Sequence, residues 1–185
     1  MSKKSDAEQP VSSKLLPTKP KPKPANTSCK RVGLFVDVQN IYYTTQHIYQ
    51  KKFNYRELWR RLDAQFDIVT ANAYAIHRGD EQQLKFQNAL KKIGFTVKLK
   101  PYIQRRDGSA KGDWDVGITI DMLEATPGLE TVILLSGDGD FDLLLKKIER
   151  THGVTTEVYG VAELTSRSLI ESASFFHPIT DDLLI

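Results

Sequence analysis

Residues 131–142 are Thr-Val-Ile-Leu-Leu-Ser-Gly-Asp-Gly-Asp-Phe-Asp, a continuous apolar run that is followed directly by a turn rich in glycine and aspartate. A short apolar run without alternation is typical of a strand that is buried on both faces of a parallel sheet. A second run, Val32-Gly-Leu-Phe-Val-Asp37, has the same character and also ends in aspartate. We therefore predict two fully buried strands, each with acidic residues at its carboxyl end.

The segments between and around these two runs alternate between strand and helix patterns. Strands are predicted at residues 68–76, 95–102, 155–159 and 175–176, and helices at residues 55–65, 80–93, 115–123, 141–151 and 164–173. Residues 95–102 alternate like a half-exposed or edge strand, and residues 104–112 are predicted to form a polar, basic loop. Strands that alternate with helices imply right-handed βαβ units. The predicted fold class is therefore a three-layer α/β/α, Rossmann-like domain with a mostly parallel central sheet.

The N-terminal segment differs from the rest of the chain in composition and charge. Residues 1–31 contain eight Lys or Arg and two acidic residues, a net charge of +6, whereas residues 32–185 contain 18 basic and 21 acidic residues, a net charge of −3. The repeat Lys19-Pro-Lys-Pro-Lys-Pro24 favours an extended, self-repelling chain. We predict a disordered basic tail over residues 1–30, either an electrostatic arm for polyanions or a solubilising linker, and one domain over residues 31–185.

Composition narrows the class of protein. The chain is 40% hydrophobic and 26% charged, which is ordinary for a globular protein. It contains no apolar run of roughly 18 residues, so no membrane-spanning helix is expected, and its polar N-terminus does not resemble a signal peptide. The single cysteine, Cys29, cannot form an internal disulfide. Cytoplasmic localisation is the prediction that follows from these features.

Acidic residues at the ends of both buried strands indicate a metal site. Ligands of open α/β sheets bind beyond the carboxyl ends of the strands. If the two strands are neighbours, Asp37, Asp138 and Asp140 crowd into one crevice, where their charges repel each other unless a cation is present. Ligand sets made only of oxygen atoms favour a hard cation such as Mg²⁺ or Mn²⁺.

Three residues that surround Asp138 have possible roles in the predicted site. Gly137 and Gly139 would let the backbone turn tightly and approach a ligand closely. Ser136 could hydrogen-bond a phosphate, and satisfying the backbone of the turn is an equally good role for its hydroxyl. These positions extend the predicted site without fixing its chemistry.

A third acidic segment, Lys111-Gly-Asp-Trp-Asp115, precedes a predicted helix that also contains Asp121. Asp113 is predicted to be the N-cap of this helix. Asp115 lies in the first turn and can point toward the crevice, whereas Asp121 lies six residues further on, about 240° around the helix. Asp115 is therefore the predicted metal-site residue, and Asp121 is a candidate for a partly buried structural acid.

Other motif interpretations fail on spacing. Asp138, Asp140, Asp142 and Glu149 match positions of a calcium-binding loop, but Leu143 stands where that loop requires glycine. An aspartyl-phosphate phosphatase is disfavoured because the Asp-x-Asp pair follows a late strand. The four histidines share no ligand spacing with each other or with the cysteine, which argues against zinc. Neither of the common glycine-rich nucleotide-binding motifs is present.

Three of these segments, in this order, resemble the NYN domain, and specifically its LabA-like branch within the PIN-like nuclease class. The residues that carry the resemblance are Phe35-Val-Asp-Val-Gln-Asn-Ile-Tyr42, Lys111-Gly-Asp-Trp-Asp-Val116 with Asp121-Met122, and Ser136-Gly-Asp-Gly-Asp-Phe141. The resemblance covers roughly residues 31–178. It implies a Rossmann-like fold and a metal-dependent ribonuclease-type site.

The resemblance also implies which residues form that site. By position, the catalytic and metal-holding residues are Asp37, Asp115, Asp138 and Asp140, with Mg²⁺ or Mn²⁺ as the cofactor. Asn40 matches the asparagine of the first motif. Gln39 departs from the pattern, because many members carry Gly or Glu there, and this leaves the metal affinity open.

RNA, most readily single-stranded, is the predicted partner. An acidic site repels RNA, so cations must line the approach, and residues 78–111 contain nine Lys or Arg and three acidic residues. The predicted substrate contacts are Asn40, Ser136, Arg105, Arg106 and Lys111. Tyr42, Tyr43 and Tyr102 either stack on unpaired bases or serve ordinary packing.

Two other functions and one assembly are open at this stage. The same fold could serve as a non-catalytic RNA- or protein-binding regulatory module with a structural metal. A hydrolase of small phosphoesters is a third interpretation. Aromatic residues between Asn40 and Phe53 could support a homodimer.

Overall fold

The structure is a computed structural model of the 185-residue chain. It describes residues 29–77, 79–101, 103–104, 110–111 and 113–185, with side chains for these residues outside the stretch 101–112. Most of the predicted tail (residues 1–28) and Tyr102, Arg105 and Arg106 lie outside the described residues. Lys111 is described in its backbone alone.

Six parallel strands form the central sheet. The strands of the domain are β1 (Arg31–Asp37), β2 (Asp67–His77), β3 (Thr96–Pro101), β4 (Ile103–Gln104), β5 (Ala110–Lys111), β6 (Thr131–Leu135), β7 (Thr155–Gly160) and β8 (Phe175–Pro178). The order across the main sheet is β3-β2-β1-β6-β7-β8, and every neighbouring pair is parallel. This is the order of a Rossmann-like sheet, in which the direction of winding reverses between β1 and β6.

Helices cover both faces of the sheet. They are α1 (Val38–Tyr49), α2 (Tyr55–Asp63), α3 (Glu81–Ile93), α4 (Asp115–Ala125), α5 (Asp142–His152) and α6 (Arg167–Ser172). Val36 of β1 lies in a core cluster with residues of α1, α2 and α3, whereas its neighbour Phe35 lies in a second cluster with residues of α4, α5 and α6. Burial on both faces explains why β1 and β6 are continuous apolar runs. The predicted three-layer fold is confirmed.

Helix α1 is absent from the sequence-based prediction. Its β-branched and aromatic residues are weak helix formers, which hid the periodicity of its buried residues Val38, Ile41 and Thr45. The Asp37 carboxylate caps the helix by accepting a hydrogen bond from the Asn40 amide, 3.1 Å away. Packing against β1 and β2 and this cap therefore decide the conformation, rather than intrinsic propensity.

The basic segment between β3 and α4 also differs from its prediction as a loop. Ile103 pairs with Lys111 and Gln104 with Ala110, so the two ends of the segment form a short antiparallel ribbon. The preceding strand, β3, lies at the edge of the main sheet, as its alternating pattern predicted. None of the described helices combines the length and the apolar character that crossing a membrane requires.

Candidate metal centre

The site lies where the winding of the sheet reverses. β1 ends in Asp37 and its neighbour β6 is followed by Ser136, so the two acidic strand ends predicted from the sequence are adjacent. The Ser136 hydroxyl donates to the Asp37 carboxylate over 3.4 Å, although the two residues are 99 positions apart in the chain. Chain connections diverge to opposite faces at this point, which leaves a crevice at the carboxyl ends of the strands.

Asn40 and Ser136 connect the two strand ends. The Asn40 side-chain oxygen accepts a hydrogen bond from the Gly137 amide at 2.8 Å, which ties the first turn of α1 to the segment after β6. Ser136 is fully buried, and its oxygen accepts from the Asp138 amide at 3.2 Å. Both residues, predicted as substrate contacts, thus make hydrogen bonds within the protein that hold the acidic turn in place.

The turn that carries Asp138 and Asp140 is packed against the segment before α6. The Asp138 carboxylate accepts from the Asp140 amide at 3.0 Å, so one acid fixes the position of the other. A Cβ on Gly139 would lie 2.7 Å from the Ser166 hydroxyl oxygen. A Cβ on Gly137 would lie 2.9 Å from a backbone oxygen of the same segment.

Contrary to the prediction from the sequence, the two glycines are not needed for a tight turn. Neither Gly137 nor Gly139 has a positive φ, so neither is required by the conformation of the turn. They are required because another part of the protein approaches closely. That segment and the first turn of α6 also bring the Ser166 and Ser168 hydroxyls, 2.9 Å apart, beside the acidic turn. No sequence pattern singles out these two serines.

Asp115 reaches the site because Trp114 anchors the start of α4. The Trp114 indole donates to the backbone oxygen of Ala75 at 3.0 Å, and its ring packs against Tyr74 and beneath Gly117. Trp114 also occupies the N-cap position of α4, where no side-chain cap bond is made. The prediction that Asp113 caps this helix is therefore wrong, because the aromatic anchor determines where the helix begins.

Three carboxylates converge at this point. One oxygen from each of Asp115, Asp138 and Asp140 lies within 4.8 Å of the others. Burial raises the pKa of Asp115 to about 6, and the charges of Asp138 and the other nearby acids add to this effect. Burial also raises the pKa of Asp37, and the charge of Asp138 adds to this effect. Asp37 therefore lies beside the trio and interacts with it electrostatically.

The donor set fits a divalent cation. Among the described residues, none of the ion pairs involves Asp37, Asp115, Asp138 or Asp140, so no side-chain cation offsets their charges. Carboxylate oxygens alone are hard ligands, which suit Mg²⁺ or Mn²⁺ better than softer metals. The raised pKa values indicate that the cluster is unfavourable without such an ion.

Asp121 belongs to a different group of residues. Its carboxylate accepts from the Tyr74 hydroxyl at 2.6 Å and pairs with the Lys98 ammonium group at 2.5 Å. This partly buried acid is therefore neutralised within the domain and lies outside the carboxylate trio.

The sheet order and the acidic cluster at its reversal point define a Rossmann-like domain with a nuclease-type site. The chain belongs to the NYN domain family, whose model matches residues 31–180. The resemblance inferred from the sequence is therefore confirmed.

Two relatives extend this assignment. Low amplitude and bright protein LabA of Synechococcus elongatus is 27% identical over 135 residues, which are 66% of this chain and 70% of that protein. The crystal structure of a protein of unknown function from Vibrio parahaemolyticus is 48% identical, with a TM-score of 0.81. That similarity covers 85% of this chain and 97% of the Vibrio chain. The sequence is thus similar to that of the Synechococcus protein, and the fold is shared with the Vibrio protein.

Proposed function

We propose that this domain is a Mg²⁺- or Mn²⁺-dependent ribonuclease in which Asp115, Asp138 and Asp140 hold the divalent ion and Asp37 completes the acidic site. The observation that carries the proposal is the convergence of carboxylates at the reversal point of the sheet, where the described side chains supply no counter-ion. Membership of the NYN family, a PIN-like nuclease family, supports a nuclease-type use of this convergence.

The protein positions the groups on which hydrolysis depends. When bound, the divalent ion would supply Lewis acidity, which makes water a better nucleophile and stabilises negative charge on a scissile phosphate. The backbone amide of Asn40 and the Ser136 hydroxyl orient Asp37. Asn40 also fixes the turn that carries Asp138. These hydrogen bonds arrange the acids before substrate arrives, so less reorganisation is needed during the reaction.

RNA is the proposed substrate, and the cytoplasm is its proposed location. Single-stranded RNA exposes its phosphates and bases to a crevice of this kind. Arg105, Arg106 and Lys111 are proposed to attract its backbone, because they follow the edge strand β3 and precede Asp115 in the chain. A reducing compartment is consistent with the lone Cys29.

Cleavage of single-stranded RNA by the Asp138→Asn variant tests the function. Loss of one carboxylate should lower the rate in Mn²⁺ at least about 100-fold, because the ion loses a ligand. The matched control is Asp142→Asn, which removes an acid four residues further on that pairs with Lys146 instead of joining the cluster. This control should cleave at close to the wild-type rate.

The same assay separates the alternatives. Equal activity of the wild type and the Asp138→Asn variant would overturn the proposal. Binding of Mg²⁺ by calorimetry without cleavage across varied RNAs would favour the non-catalytic regulatory module. Hydrolysis of nucleotides but not of oligomers would favour the small-phosphoester hydrolase.

A further inference from the structure

A cavity lies beside the acidic cluster. It has a volume of about 360 Å³ and lies between α1, the start of α2 and the first turns of α3. This volume is within the range of small-ligand sites in proteins. The proposed hydrolysis does not use the side chains that line this cavity.

The cavity and the acidic cluster both lie at the carboxyl ends of the strands. Val38 and Gln39, which line the cavity, directly follow Asp37 in the chain. Ala75, also in the lining, follows the residue of β2 that is paired with Asp37. Burial raises the pKa of Tyr55, a further lining residue, and the charge of Asp37 contributes to this increase. A chain bound at the cluster can therefore place an adjacent group in the cavity.

Gln87 places an amide in the cavity wall. The residue is only 3% exposed, and it belongs to the lining of the cavity. A ligand that covers this amide must also hydrogen-bond to it, because a polar group that loses water without gaining a partner is unfavourable. The amide offers one acceptor and two donors, which complement the hydrogen-bonding edge of a nucleobase.

The rest of the lining suits a flat, uncharged group. Tyr42 is 49% exposed and Phe86 is 37% exposed, and the Phe86 ring contacts the buried Tyr55 ring edge to face, with 5.6 Å between the ring centroids. The charged residues of the lining are Lys52 and Asp80, whose charges cancel. A phosphate would require excess positive charge, whereas a base requires aromatic surfaces and an amide.

We propose that this cavity binds an unpaired nucleobase of the RNA, next to the phosphate that lies at the acidic cluster. The base stacks on Tyr42 or Phe86 and hydrogen-bonds to the Gln87 amide. This inference rests on the proposed function for its ligand, and a preference for single-stranded RNA follows from it. A base within a duplex would already be stacked and paired, and could not enter.

The test measures RNA binding rather than cleavage. Full-length Asp138→Asn protein in EDTA, which removes the means of hydrolysis, is titrated at low salt into a fluorescent single-stranded RNA octamer. The same octamer is then used with one base removed at each position in turn. One position should show a loss of affinity of about 10-fold or more, because stacking of a single base contributes that much.

Variants of the cavity identify where that base binds. Gln87→Leu and Phe86→Ala should weaken binding of the intact octamer and should abolish the extra loss at the sensitive position. The matched control is Asn88→Leu, an exposed amide on the next residue of α3 outside the cavity lining. This control should behave as the parent protein. Circular dichroism spectra that match the parent would exclude misfolding as the cause.

Several results would overturn the inference. Equal losses at every abasic position, or unchanged binding by both cavity variants, would show that the cavity holds no base. Tighter binding of a free nucleoside monophosphate than of the octamer would identify a free nucleotide as the occupant. Dissociation of a dimer by Phe86→Ala, with RNA binding unchanged, would identify a second copy of the chain. Octamer binding with wild-type protein inactive in Mn²⁺ would instead contradict only the proposed hydrolysis.

Discussion

Asp115 and Asp121 lie on the same helix, and their surroundings differ completely. Asp115 is adjacent to two other carboxylates, and the described residues provide no ion pair for it. Asp121 has the Lys98 ammonium group and the Tyr74 hydroxyl within 2.6 Å. Both side chains are partly buried. The comparison teaches that neighbours, rather than residue type or burial, separate an acid that is left among other carboxylates from one that stabilises the fold.

Activity should distinguish the two acids most strongly. Asp115→Asn should lower cleavage of single-stranded RNA by on the order of 100-fold, because it removes a proposed ligand of the divalent ion. Asp121→Asn should stay within about tenfold of the wild type, because the residue acts through the position of α4. Initial rates in Mn²⁺ at matched protein concentration provide the measurement. Similar losses in the two variants would remove the distinction.

Stability should reverse the order. Asp121→Ala leaves the Lys98 ammonium group and the Tyr74 hydroxyl without their shared acceptor, and should lower the free energy of unfolding by about 1–3 kcal/mol. Asp115→Asn removes a repelled charge and should leave the metal-free domain unchanged or more stable by up to about 1 kcal/mol. Urea denaturation in EDTA at pH 7.5 measures both. Destabilisation by Asp115→Asn as large as that by Asp121→Ala would contradict the assignment of repulsion to the cluster.

The dependence of metal binding on pH should give the smallest difference. Because the pKa of Asp115 is raised from 3.8 to about 6, the folded domain binds a proton more tightly than the unfolded chain does. The metal-free domain should therefore lose stability as the pH rises from about 4 to about 6, and the unfavourable contribution is complete above that range. Mg²⁺ competes with the proton, so it should raise the melting temperature roughly 2–4 °C more at pH 7.5 than at pH 5.

The two acids also provide the control for this measurement. Asp115→Asn should flatten the pH dependence of the Mg²⁺ effect, since the titrating group is gone. Asp121→Asn should lower the melting temperature at both pH values without altering the increment that Mg²⁺ gives. A Mg²⁺ increment that is equal at pH 5 and pH 7.5 in the wild type would contradict the expected competition.

The sequence predicts the sheet well, because burial on both faces leaves a clear signature. β1 and β6 are recognisable as apolar runs, and the aspartates at their ends follow directly from the positions where those runs stop. Helix α1 escapes prediction because its stability comes from packing on the sheet and from the Asp37 cap. Neither contribution is reflected in the local helix propensity of the residues.

The sequence indicates the acidic residues of the site but not the residues that orient them. Carboxylates at strand ends are visible in the sequence, whereas the partners that orient them come from distant segments. Trp114 anchors Asp115 by reaching the backbone of β2, and the segment around Ser166 packs on Gly139. These contacts depend on which strands are neighbours, which a single sequence does not specify. The separate environment of Asp121 is hidden for the same reason.

The hydrogen bond between Ser136 and Asp37 joins residues that a ribosome synthesises far apart in time. A nascent chain that stops before the acidic turn has Asp37 and Asp115 but neither Asp138 nor Asp140. Incomplete translation products therefore lack the cluster, and a protein that degrades transcripts would be harmless to its own message until synthesis has passed this point. Because of the long separation of the acids along the chain, the cluster is complete only after synthesis has passed Asp140.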